Sequence, residues 1–160
     1  MAVRTGNPER NSGHLDEISK AIIEQLQLDG RRSYAGIGKA VGLSEAAVRQ
    51  RVQRLIDAGV MQVVAVTDPL ELGFARQAMI GIKAEGPLER IADELKAMDE
   101  VEYVVITAGS FDLLAEVLCE SDEHLLRVLS DRIRAIEGVK VTETFVYLKL
   151  VKQTYSWGVR

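Results

Sequence analysis

The sequence predicts an α+β chain in two parts: an N-terminal winged-type helix-turn-helix and a C-terminal ferredoxin-like β-α-β-β-α-β domain whose sheet pairs with that of a second copy. Three observations predict it. Before residue 60, apolar residues recur three times at helical spacing; after residue 77, apolar strands alternate with amphipathic helices in β-α-β-β-α-β order; and charge divides unequally between the halves. The expected partition is a mobile extension over 1–13, a helix-turn-helix over 14–59, a connecting strand and linker over 60–77, the ferredoxin-like domain over 78–152 and a tail over 153–160.

Residues 1–13 are rich in Gly, Asn, Pro, Ser and charge and show no apolar period; Arg4 and Arg10 there would attract a polyanion nonspecifically. From Leu15, the residues Ile18, Ile22 and Leu26 continue a helical stripe that Gly30 closes. Ser33 caps a second, short helix with Ile37 and Val41 inward, and Gly42 turns the chain. Ser44 caps a third helix, and Leu43 and Val48 flank that cap as a hydrophobic staple.

On the third helix Val48, Val52 and Leu55 share one side, while Ala46, Ala47, Arg49, Gln50, Gln53 and Arg54 lie on or near the other. Small residues followed by hydrogen-bond donors suit a helix entering the major groove, roughly 12 Å wide. Arg49 and Gln50 are the candidates for reading base edges, since guanidinium matches guanine and carboxamide matches adenine. Ser44, with the helix amides, and Arg31 and Arg54 are expected at phosphates. Ser33, at the start of the second helix, joins this candidate set. Glu45 either favours cytosine or interacts with the helix dipole, and Arg51, nearer the core, is expected to brace the module through an acidic partner. The plainer alternative is a solvent-facing helix with no ligand.

Gly59 ends the third helix. Gln62 to Val66 are expected to form a strand, and Asp68-Pro69 a turn. The apolar content of 60–77 predicts that it packs against the body. Strands are then expected over Ala78–Ala84, Val101–Ala108, Phe111–Glu120 and Lys140–Val151, with helices over Pro87–Ala97 and Ser121–Ile136. The helices cover one face of such a sheet, but Tyr103 and Val105, and Phe145 and Tyr147, alternate with the inward set and leave apolar groups on the other. A second subunit is the natural cover. Between the middle strands, Thr107, Gly109, Ser110, Phe111 and Asp112 form a turn. There Asp112 either accepts from the ammonium of a small zwitterion or caps its own hairpin backbone.

The formal charge of −4 conceals an asymmetry. Residues 1–66 carry net +2 and residues 67–160 net −6, and between Arg31 and Arg54 six basic residues face one acidic residue, Glu45. Hydrophobic residues are 47% of the chain and charged residues 28%, as in a folded soluble protein. No stretch approaches the roughly 20 apolar residues of a spanning helix, so a cytoplasmic location and no membrane partner are expected. The single cysteine, Cys119, excludes an internal disulfide and a multi-thiolate zinc site, and its apolar neighbours place it in a core strand.

With these segments in order, the sequence resembles the Lrp/AsnC family, the leucine-responsive and feast/famine regulators, over about Leu15 to Lys152. The resemblance rests on Leu15-Asp16, Gly30-Arg31-Arg32-Ser33, Val41-Gly42-Leu43-Ser44, Val48-Arg49-Gln50-Arg51-Val52 and Leu55-Ile56-Asp57-Ala58-Gly59-Val60. It continues in Gly109-Ser110-Phe111-Asp112 and in Gly138-Val139 followed by Thr142 and Thr144. It implies a sequence-specific regulator of transcription that binds double-stranded DNA as a homodimer, often assembled into octamers. It also implies an amino-acid effector bound between C-terminal domains near Gly109, Phe111 and Asp112, and no other cofactor. Ser110 is the variable position of that turn.

Some tetrapyrrole decarboxylases resemble the same family, but here only His14 and His124 are histidines, expected on a flank and on a helix surface, and no paired carboxylates, metal-ligand cluster or phosphate loop accompany them. No enzyme is expected. Two further alternatives are a metabolite-binding or structural oligomer without specific DNA binding, and a broad nucleoid-organising binder.

Overall fold

The computed structural model describes residues 15–154. The expected extension over 1–13, with Arg4 and Arg10, lies outside the described residues, as do His14 and the tail beyond 154. The described chain falls into two compact units that divide between Ala65 and Val66.

The first unit holds three helices, α1 (Glu17–Leu28), α2 (Tyr34–Val41) and α3 (Glu45–Asp57). Each begins at a short polar residue whose side chain accepts a backbone N–H three residues on: Asp16 from Ser19, Ser33 from Gly36 and Ser44 from Ala47. Gly42 ends α2 in the left-handed region, at φ 73°, where a side chain would be strained. Ile22, Ile37, Val48 and Val52 form the core, with Ile18, Leu26, Tyr34 and Leu43 packed around it.

The strand expected over Gln62–Val66 does not form. Its apolar residues stand exposed, Val63 at 53% and Val64 at 61%; of the segment expected to pack over 60–77, Met61 lies against the helical core, but Val66, Leu70 and Leu72 are exposed as well. A β-branched run favours extended backbone, but a strand also needs a neighbour to accept its hydrogen bonds, and among the described residues no strand pairs with this segment. A single 3₁₀ turn, Leu70–Leu72, follows.

The second unit is β1 (Arg76–Ala84), α4 (Leu88–Lys96), β2 (Val101–Ile106), β3 (Leu113–Cys119), α5 (Asp122–Arg127) and β4 (Val139–Val146). The strands form one antiparallel sheet in the order β2-β3-β1-β4, the ferredoxin-like arrangement. Ala78, Ile80 and Ile82 of β1 alternate inward opposite Val117, Ala115 and Leu113 of β3, and all six are fully buried against Ile91, Leu95 and Ile133 of the helical layer. Cys119 is a free thiol in the same core, its pKa pushed up by burial and then by the Glu100 charge.

The structure shortens two expected elements. The helix expected over Ser121–Ile136 is α-helical only to Arg127. It continues as a π-helical turn, Val128–Ile133, with Arg134 N–H reaching back five residues to the Leu129 carbonyl at 3.0 Å. The wider turn still buries Val128, Leu129 and Ile133. The last strand stops at Val146 instead of Val151: Tyr147 N–H still donates to the Gln77 carbonyl at 2.9 Å, but the ladder with β1 ends at the Ala78–Val146 pair, and Leu148 stands 97% exposed.

Candidate functional site

The outer face of α3 is built by what the inner face buries. Val48, Val52 and Leu55 are inside, so the helical period places Glu45, Ala46, Arg49, Gln50, Gln53 and Arg54 outside, and all six are exposed. Ser33 and Ser44 cap α2 and α3 with hydroxyl–amide distances of 3.1 and 3.2 Å. Arg31 is exposed on the turn before α2, its backbone N–H donating to Asp29 Oδ1 at 2.9 Å. Its neighbour Arg32 turns back to the Gln25 carboxamide of α1.

Not every cation here is free to meet a ligand. Arg49 donates to Glu45 Oε1 at 2.9 Å and lies over the Tyr34 ring, and Arg54 Nε points to the Gln50 carbonyl at 3.4 Å. Sequence periodicity shows neither the Tyr34 contact, which joins two helices, nor the Arg32 contact, which joins the turn before α2 to α1. Arg51 is the expected brace: it donates to Asp16 Oδ2 at 2.6 Å and Ser19 Oγ at 3.1 Å, tying α3 to the start of α1.

Hydrogen bonding from Ser19 and then from Arg51 lowers the Asp16 carboxyl from 3.8 to about 2. A depressed acid stabilises the folded state above its unfolded pKa, and that contribution is lost as pH falls through the folded value. In an acid titration, wild type is therefore expected to be more stable than Asp16→Asn above about pH 4, with the gap closing toward pH 2. A gap independent of pH would show that the brace does not act through the ionised carboxylate.

The second candidate site, Thr107–Asp112, is a turn held by its own bonds. Thr107 N–H donates to the Asp112 carbonyl at 2.9 Å and its hydroxyl to the Phe111 carbonyl at 2.6 Å, while Asp112 N–H donates to Ile82 at 2.9 Å. Asp112 Oδ2 accepts from Ala84 N–H at 2.8 Å, where the β1–β4 ladder shifts register. The carboxylate thus has a backbone partner within the chain, but on β1 and not in its own hairpin, where the hairpin alternative expects it. The Phe111 ring covers Gly81 so closely that a Cβ there would stand 2.8 Å from it, and it meets Phe145 edge-on at 6.1 Å. Gly109 and Ser110 remain exposed. Gly109 is not in the left-handed region and a Cβ on it would meet no described residue within 4 Å, so the backbone of this turn does not require a glycine there.

Phe145 and Phe111 belong to the sheet face away from the helices, with Met79 of β1, Leu114 of β3 and Tyr103 of β2. Toward one end of that face, Gln77 donates to Glu116 at 2.8 Å, and burial, then the Glu116 charge, push the Tyr147 hydroxyl up to about 12. On the opposite side of the domain His124 is half-buried instead of a simple surface residue. Its Nε2 lies 3.4 Å from Glu100, which Arg132 also pairs.

A capped three-helix unit with a donor-bearing outer helix, followed by a ferredoxin-like domain, defines the class: a DNA-binding transcription regulator, and not an enzyme. Residues 15–56 match the AsnC-type helix-turn-helix domain and residues 74–160 match the PF0864 C-terminal dimeric alpha+beta barrel domain. The chain belongs to the Lrp/AsnC family.

It is 37% identical over 150 residues to the HTH-type transcriptional regulator FL11 of Pyrococcus furiosus, covering 92% of this chain and 99% of that one. It is 34% identical over 145 residues to the proline dehydrogenase transcriptional activator of Rhizobium radiobacter, covering 88% and 93%. The solved structure of Escherichia coli AsnC superposes with a TM-score of 0.79 at 26% identity, covering 89% and 97%. No helix among the described residues is long and apolar enough to cross a membrane.

Proposed function

We propose that this regulator binds specific double-stranded DNA sites as a homodimer, able to build octamers, and that an amino acid or related small molecule at Thr107–Asp112 changes its assembly or its DNA affinity. The observation that carries the DNA half is the outer face of α3, where Arg49 and Gln50 project from a helix anchored by Val48, Val52 and Leu55. Arg49 and Gln50 read base edges; Arg31, Ser33, Ser44 and Arg54 approach phosphates; Ala46 allows close approach; and Glu45 stands beside Arg49. Two copies meet through the open sheet face, which brings two reading helices to a two-fold site.

The effector half rests on Gly109. It is exposed, and no described residue outside its chain neighbours would stand within 4 Å of a Cβ there, so the turn is open to a ligand. Phe111 and Asp112 are meanwhile held in place by Gly81 and Ala84. The Rhizobium radiobacter relative, named for proline dehydrogenase, favours an effector linked to amino-acid metabolism.

A genome-wide footprint, repeated with and without a panel of amino acids, tests both halves. Reproducible sites are expected, with affinity falling linearly in log salt concentration, and Arg49→Ala or Gln50→Ala should cost about 1–3 kcal/mol of discrimination at one base position. No specific site in any condition would sink the regulatory reading. Identical footprints across a saturating panel would remove effector control by those amino acids.

A further inference from the structure

The Arg49 guanidinium is held from two directions before any DNA arrives. Along α3, it donates to Glu45 Oε1 at 2.9 Å, one turn back; across the motif, its central carbon lies 5.2 Å from the centre of the Tyr34 ring at the start of α2. That is within the roughly 6 Å range over which a cation is attracted to an aromatic face. Tyr34 is a fixed platform: it is half-buried, packs against the core of Ile22, Ile37, Val48 and Val52, and follows directly on the Ser33 cap.

The two contacts make different demands on the guanidinium. A cation near an aromatic face is attracted through its charge, which spends no particular N–H, whereas the N–H donors lie in the guanidinium plane, pointing outward. One donor serves Glu45, which leaves in-plane donors for the O6 and N7 acceptors of guanine. The Glu45 carboxylate also repels phosphate, which biases Arg49 toward a base edge and away from the backbone. A side chain already restricted in this way loses less conformational freedom on binding.

We infer that Tyr34 is a positioning residue for base specificity: with Glu45, it holds Arg49 as a preformed guanine reader, so discrimination at one base depends on a ring on α2. This rests on the reading of Arg49 as a base reader, and the two can be separated.

The test selects binding sites from a randomised duplex library at fixed salt, using the full chain as wild type, Tyr34→Phe, Tyr34→Leu and Arg49→Ala, with melting temperature and nonspecific affinity recorded for each. Phenylalanine keeps the aromatic face; leucine keeps apolar bulk without it. Tyr34→Phe is expected to retain the wild-type preference. Tyr34→Leu should lose about 2- to 10-fold of the preference at the one base that Arg49→Ala flattens, with nonspecific affinity unchanged. If Tyr34→Leu lowers melting temperature or overall affinity but leaves that preference intact, Tyr34 only packs and the inference fails while the Arg49 reading stands. If Arg49→Ala changes no base preference, both fail.

Discussion

Gly38→Ala is expected to weaken specific DNA binding while the C-terminal domain stays folded. An added Cβ would stand 2.5 Å from the Leu43 carbonyl oxygen, and that oxygen belongs to the backbone leading into α3. Leu43 N–H donates to the Gly38 carbonyl at 2.9 Å, so the two segments are tied together and the clash cannot be relieved by one side chain turning away. Relief requires moving α2 away from the entry to α3, which costs about 1–3 kcal/mol as overpacking does elsewhere. Alanine returns roughly 1 kcal/mol through its better helix propensity, which leaves a net loss of up to about 2 kcal/mol. The N-terminal core has four buried residues at its centre and little reserve, and the shift falls on the angle at which α3 is presented. Thermal unfolding and a footprint of the same variant check this; an unchanged melting temperature with wild-type site affinity would overturn it.

Ile80→Ala is expected to destabilise the C-terminal domain by about 2–5 kcal/mol, the cost of a cavity where a large aliphatic side chain was fully buried. Ile80 sits on β1, inside the sheet, opposite Ala115 of β3 and Thr144 of β4, with no exposed edge through which its neighbours can collapse. Association is expected to fail with folding. The adjacent Met79→Asp gives the contrasting result. Met79 points to the other face, opposite Glu116 and Phe145, where a carboxylate meets solvent in one chain but an apolar partner surface in a sheet-to-sheet dimer. A folded monomer is expected by circular dichroism and sedimentation. Wild-type association of Met79→Asp would rule out this face as the interface.

The outward set on α3 was legible in the sequence because it is the complement of a 3.6-residue apolar period, and the second and third caps were legible because serine stands at the right step before each helix. What holds those outward side chains was not. Tyr34 and Arg49 are fifteen positions apart on different helices, and no local period joins them. The turn at Thr107–Asp112 was located from its glycine and aspartate, but the Asp112 bond to Ala84 depends on a register shift between two strands distant in sequence.

By itself the sequence determined the order of elements, the inward face of each helix and of the paired strands, and the family. These follow from periods and caps that act over a few residues. Only the tertiary structure decided that Gln62–Val66 stays unpaired, that β4 stops at Val146, that the last helix widens into a π turn and that Arg49 is tied to Tyr34. A hydrogen-bond ladder or a side-chain contact needs a partner, and which partner is within reach is settled by the whole fold, not by the local pattern.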